Sequence, residues 1–226
     1  NSAGTLFSAT ATQIISINPA TGAGTVVVTT SPSTDLRGIA FDSSDNLFGI
    51  RQDVGGDQLV SINLSTGAVT TIGSLGSTVI QSLAISSTDE FFAWDFDAGL
   101  LSVNSSTGAA TLIGGGAFDI QSLSFDSTGQ LIGSDQDTGV FTIDKATGAR
   151  TFIGGSGFAN VRGLEPVIID GNDVYNGGGG FDTVDYSAQT FGVTANLLTG
   201  AATGSGIGSD TLTNIEKIIG GSGNDT

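Results

Sequence analysis

Apolar and polar residues alternate along this chain in short runs, each closed by Gly, Asp, Asn, Ser or Thr. One run recurs as Ile15-Ser16-Ile17-Asn18, Val60-Ser61-Ile62-Asn63, Leu101-Ser102-Val103-Asn104 and Phe141-Thr142-Ile143-Asp144. A period of two puts one side-chain set on one face, which predicts a half-buried β-strand. Each copy leads into Thr-Gly, at Thr21-Gly22, Thr66-Gly67, Thr107-Gly108 and Thr147-Gly148, at intervals of 45, 41 and 40 residues. A second strand follows the turn, as in Val69–Ile72 and Ala110–Ile113. A third element, Leu36-Arg37-Gly38-Ile39-Ala40-Phe41, returns at Ile80–Ile85, at Ile120–Phe125 and as Val161-Arg162-Gly163-Leu164. A fourth reads Leu47–Ile50, Phe91–Trp94 and Leu131–Ser134. No apolar pattern of period 3.6 extends over a useful length, so helices are not expected.

Short strands in groups of four per roughly 40 residues, rich in β-branched and aromatic side chains and separated by turn residues, predict propeller blades. The phase of the repeat predicts how the ring closes. The N-terminus supplies three strands, and Val161–Leu164 supplies the missing one, giving four blades with a split closing blade over residues 1–167. This region resembles the large group of repeats with the pattern G-L-A-F-D, G-x-L-Y-G, L-Y-x-I-D-x-x-T-G; a partial or open array is the alternative. Arg37, Gln81, Gln121 and Arg162 occupy equivalent places, each followed by a small residue. With that strand innermost, the four side chains converge near the axis, either as a ligand pocket or as a polar plug. Asp53, Asp95, Asp97, Asp135 and Asp137 recur in loops and are read as turn residues or as metal or sugar contacts. Trp94 is read as core in preference to a sugar platform, and Arg51, Lys145 and Arg150 as solvated charge.

After Pro166 the period changes. Gly177-Gly178-Gly179-Gly180-Phe181-Asp182-Thr183-Val184-Asp185 fits the nine-residue pattern G-G-x-G-x-D-x-U-x. Asp173 lies nine residues before Asp182, Gly208–Leu212 is a shortened copy around Asp210, and Gly220-Gly221-Ser222-Gly223-Asn224-Asp225-Thr226 repeats the pattern up to its apolar position. The last copy reads as the start of a longer array, cut short. Calcium takes six to eight oxygen ligands, and glycines at positive φ let successive carbonyls turn toward one ion while an Asp adds charge. Asp173, Gly178, Gly180, Asp182, Asp210, Gly221, Gly223 and Asp225 are therefore the candidate Ca2+ site. In a roll of nine-residue half-coils, same-edge turns stack eighteen residues apart. Asp173 and Asp182 then find no motif at the next positions, within Tyr186–Thr203. The order of residues 168–226 closely resembles the hemolysin-type (RTX) repeat region with its hairpin insert. The resemblance implies a parallel β-roll, folding in millimolar calcium outside the cell, and type I secretion.

Composition narrows the partners. The chain carries 22 acids against 6 bases, a net charge of −16, which repels nucleic acid and anionic membrane. His and Cys are absent, which excludes histidine acid–base chemistry and His/Cys zinc sites. No apolar run is long enough to span a membrane as a helix. The sequence thus predicts an all-β, secreted or cell-surface scaffold, adhesin or matrix protein. It is expected to be stabilised by Ca2+, to associate with itself or with an extracellular glycan, and not to be an enzyme. A sugar- or ligand-binding propeller is the first alternative, and a calcium-dependent propeller hydrolase or lyase the second.

Overall fold

The computed structural model describes residues 5–18, 21–32, 35–126, 128–136, 139–155, 173–187, 189, 192–204 and 207–226. The chain divides into two compact units, Asn1–Pro166 and Val167–Thr226. All regular elements among the described residues are strands. Among the described residues no helix is long and apolar enough to cross a membrane.

The first unit opens with β1 (Leu6–Ala9), β2 (Gln13–Ile17) and β3 (Gly24–Thr29), a three-stranded antiparallel meander. Three four-stranded antiparallel meanders follow. The first holds β4 (Leu36–Phe41), β5 (Leu47–Arg51), β6 (Gln58–Ile62) and β7 (Val69–Ser74). The next holds β8 (Ile80–Ile85), β9 (Phe91–Asp95), β10 (Gly99–Val103) and β11 (Ala110–Gly115). The last holds β12 (Ile120–Phe125), β13 (Leu131–Asp135), β14 (Val140–Ile143) and β15 (Arg150–Gly154). The closing strand expected over Val161–Leu164, and Arg162 with it, lies outside the described residues.

Strand order within each sheet follows its burial. β9 is buried at every position, whereas β7, β11 and β15 turn residues to solvent. Both β4 and β12 pack against β8, so the first strands of successive sheets face one another. The sheets are joined by their apolar faces. Ile50 and Leu59 of one sheet pack with Leu83, Ala93 and Leu101 of the next. Trp94 and Leu100 of that sheet in turn meet Ile120, Leu131 and Phe141.

The recurring Thr-Gly has a packing cause. Asn63 accepts hydrogen bonds at Oδ1 from the Ser65 and Thr66 N–H groups, and Gly67 closes the turn at φ 75°. Asn104 and Asp144 build the same turn. A Cβ on Gly67 would collide with the Thr29 carbonyl of the preceding sheet, and one on Gly108 or Gly148 would meet Gly73 or Gly114. The repeat therefore marks where adjacent sheets touch backbone to backbone.

The second unit is a stack of parallel pairs interrupted by a hairpin. β16 (Val174–Asn176) and β17 (Thr183–Asp185) form one layer. β18 (Thr194–Asn196) and β19 (Ala201–Gly204) form the antiparallel hairpin, and β20 (Gly208–Thr213) and β21 (Lys217–Ile219) form the next layer. β16 pairs parallel with β20, and β17 with β21. Val184, Tyr186, Val193, Ala202, Ile207 and Leu212 fill the core between them.

Candidate functional sites

The first strand of each four-stranded sheet of the first unit, β4, β8 and β12, carries a β-bulge at the same place. The register between β4 and β5 jumps from Leu36 to Gly38, that between β8 and β9 from Ile80 to Ser82, and that between β12 and β13 from Ile120 to Ser122. The skipped residues are Arg37, Gln81 and Gln121. A bulge leaves its extra residue out of the ladder and re-aims its side chain. Here all three line one cavity of about 390 Å3 together with Gly38, Ser82 and Ser122. The strands approach closely because Gly38 has no side chain; a Cβ there would lie 2.8 Å from the Leu83 backbone nitrogen.

Arg37 donates through Nη1 to Gln81 Oε1 at 3.1 Å and through Nη2 to Gln52 Oε1 at 2.5 Å. Its Nε lies 4.0 Å from the exposed Asp35 carboxylate. Gln121 donates to Asp119. Ser122 and Ser134 share a hydrogen bond of 2.7 Å, whereas the buried Ser82 Oγ has no partner. Nearby, Asp57 is almost wholly buried and accepts from the Ile80 N–H at Oδ2. Burial raises its carboxyl above the usual range, against the lowering effects of that hydrogen bond and of the Arg37 charge.

The recurring loop acids cap turns. Asp53 accepts from the Val54 N–H and meets Arg51 at 3.4 Å. Asp95 accepts from the N–H groups of Asp97 and Ala98, and Asp135 from that of Gly139. Asp137 lies outside the described residues. Trp94 is fully buried, donating through Nε1 to the Phe118 carbonyl at 2.8 Å. The reading of Lys145 and Arg150 as merely solvated charge is corrected. Arg150 stacks 4.0 Å from the Phe118 ring centroid and donates to the Gly115 carbonyl, and Lys145 bonds Glu90 at 3.0 Å beside Phe92 and Phe125. Both basic groups staple neighbouring sheets.

In the second unit the expected stacking interval of eighteen residues is replaced by longer ones, because the hairpin is inserted between layers. The Asp173 N–H donates to Asp210 Oδ1, 37 residues on, and the Asp182 N–H to Glu216 Oε2, 34 residues on. The Val193 N–H donates likewise to Asp225 Oδ1 at 2.9 Å. At two corners an acid of the later layer thus receives an N–H of the earlier one, and at a third Asp225 receives that of Val193, just ahead of the hairpin. Glu216 was not among the residues singled out from the sequence; it stands where the pattern offers no Asp.

The corners differ in what remains for a cation. Asp210 is buried with both oxygens committed, Oδ1 to Asp173 and Oδ2 to the Tyr186 hydroxyl at 2.7 Å. Asp173 is exposed and its Oδ2 lies 3.3 Å from the Tyr175 hydroxyl. Asp182 has a buried Oδ2 with no partner. It folds back over its own turn, where Gly178 and Gly180 have φ of 81° and 131° and a Cβ on Gly177 would strike the Asp182 side chain. Asp225 folds back in the same way over Gly220. Gly221 and Gly223 lie in that turn, with Gly221 against the Gln189 carbonyl. The Asp182 turn suits a hard cation in two respects, an unpartnered carboxylate oxygen and glycines at positive φ beside it. Among the described residues no three acidic side chains converge, so further ligands would have to be carbonyls or water.

Burial holds the Tyr186 phenol well above the usual tyrosine range, reinforced by its hydrogen bond to Asp210 and by that group's charge. Tyr175 is raised by burial and by the charges of Asp173 and Asp210. The folded state keeps protons that the unfolded chain releases near pH 10, so stability is full below that pH and falls as pH rises past it. Phenolate absorbance is therefore expected only above pH 10 and together with loss of the near-ultraviolet tyrosine dichroism. Ionisation near pH 10 with the dichroism intact would contradict the buried pairing.

No protein-family model matches the chain, and no curated protein matches it. Solved structures do. A nidogen/laminin complex aligns with 88% of this chain and 69% of its own at TM-score 0.54 and 13% identity. A gluconolactonase from Xanthomonas campestris aligns with 65% and 56% at TM-score 0.48 and 10% identity. A virginiamycin B lyase from Staphylococcus aureus aligns with 62% and 48% at TM-score 0.43 and 13% identity. The likeness identifies the first unit's meanders as a β-propeller. It also corrects the expectation that the chain is not an enzyme: structures similar to it include a lactonase and a lyase, so the fold gives no ground for excluding catalysis. At these identities it assigns no activity either.

Proposed function

We propose that the chain is an extracellular binding module, in which a four-bladed propeller takes a ligand at its axial cavity and a hemolysin-type roll is stabilised by Ca2+. The three four-stranded sheets and the three-stranded sheet count as the four blades. The convergence of three bulged polar residues, Arg37, Gln81 and Gln121, on one cavity carries the binding reading. Its volume lies within the usual range of about 300–1,000 Å3 for small-ligand sites. The nidogen structure it resembles is a complex with laminin, which supports a protein partner as one occupant of such a face. The unpartnered Asp182 Oδ2 supports the calcium reading; in this reading the chain, singly or as an assembly of copies, presents the cavity at a cell surface or in a matrix.

Gln121→Trp tests the binding reading, because an indole would fill the cavity from a bulge position without entering the core. Ligands found in a screen of glycans and small organic molecules are expected to bind the variant at least tenfold more weakly, with its melting curve unchanged. Equal binding to both proteins would place the site elsewhere.

A further inference from the structure

Resting on the reading of the axial cavity as a binding site, we propose that it selects a carboxylate: an organic acid whose charged end meets Arg37 and whose apolar arm lies along the inner strands. The Nη donors of Arg37 that are engaged end on amide oxygens of Gln52 and Gln81, which orient the guanidinium without neutralising it. Its acidic neighbour Asp35 stands at the edge of ion-pair reach, with its side chain 64% exposed. A guanidinium has five N–H donors in a planar fork, and two are used here, so a fork remains for the two oxygens of a carboxylate.

The rest of the cavity suits that ligand and disfavours others. Leu36, Ile39, Leu83 and Leu123 supply apolar wall. The net charge of −16 makes a dianion such as phosphate harder to hold than a monoanion matched to the Arg37 guanidinium. In a neutral or cationic ligand, nothing would answer the Arg37 charge.

The test uses 4-phenylbutanoate, 4-phenylbutanamide and 4-phenylbutylamine as probes, titrated at neutral pH into the whole chain and followed by ligand-observed NMR. The acid is expected to bind at least tenfold more tightly than the amide, to lose that preference in Arg37→Met, and to be displaced in Gln121→Trp. Acid and amide binding equally, both blocked by Gln121→Trp, would leave the cavity as a site and overturn the carboxylate selection. Acid binding untouched by Gln121→Trp, or no binding by any probe up to about 10 mM, the weak end of the measurable range, would overturn the selection too. The acid-to-amide ratio on the unaltered protein decides the matter even if Arg37→Met folds poorly.

Discussion

An Asp210→Ala protein is expected to lose the fold of its second unit while its propeller stays intact. Asp210 is 3% exposed, and its two oxygens hold the Asp173 N–H at 2.9 Å and the Tyr186 hydroxyl at 2.7 Å. Truncation leaves two donors facing a methyl group, at about 1–3 kcal/mol each. A unit of about 60 residues has a total stability of roughly 3–9 kcal/mol, so the loss takes most of it. Asp210→Asn keeps the shape and one acceptor, and should cost less than half as much. The chain offers a clean readout, because both tyrosines lie in the second unit and the single Trp in the first. Near-ultraviolet tyrosine dichroism should disappear in Asp210→Ala while Trp94 fluorescence keeps its wavelength. Unaltered tyrosine dichroism and melting would show that the buried carboxylate does not hold the layers together.

The strands of the first unit were legible because period-two alternation and turn residues are local signals, and tertiary packing here agrees with them. The convergence of Arg37, Gln81 and Gln121 was legible from their equivalent places in the repeat. Its cause was not: nothing in Leu36-Arg37-Gly38 announces a β-bulge, which arises from how β4 pairs with β5. Asp57 escaped notice because a lone Asp looks the same in a turn as in a desolvated wall. Arg150 and Lys145 were misjudged because charge patterning along the chain does not reveal an aromatic face supplied by a neighbouring sheet.

In the second unit, the nine-residue motif located the turns at Asp182 and Asp225, whose acids fold back over the first glycine of each motif. It misjudged the partners. The hairpin of β18 and β19 sets the stacking interval, so Glu216, outside any glycine motif, receives the Asp182 N–H. The commitment of Asp210 to Tyr186 is likewise a contact across the core that spacing along the chain does not encode.

The calcium account leads to the second large effect. Extracellular calcium sites bind with dissociation constants of about 0.1–1 mM, so about 10 mM Ca2+ stands at roughly 10 to 100 times that constant. Binding to the folded state alone then adds about 1.4–2.7 kcal/mol. For a unit this small, each kcal/mol is worth about 4–8 °C of melting temperature. Asp182→Asn removes the charge while keeping the shape of the second unit's carboxylate with a buried, unpartnered oxygen. The deciding measurement is the thermal melt of the tyrosine dichroism in about 10 mM CaCl2 and in chelator, for the unaltered chain and for Asp182→Asn. Calcium is expected to raise the transition of the unaltered chain by on the order of 10 °C, with most of that gain absent in Asp182→Asn. Superimposable melts of the unaltered chain with and without calcium would contradict the account.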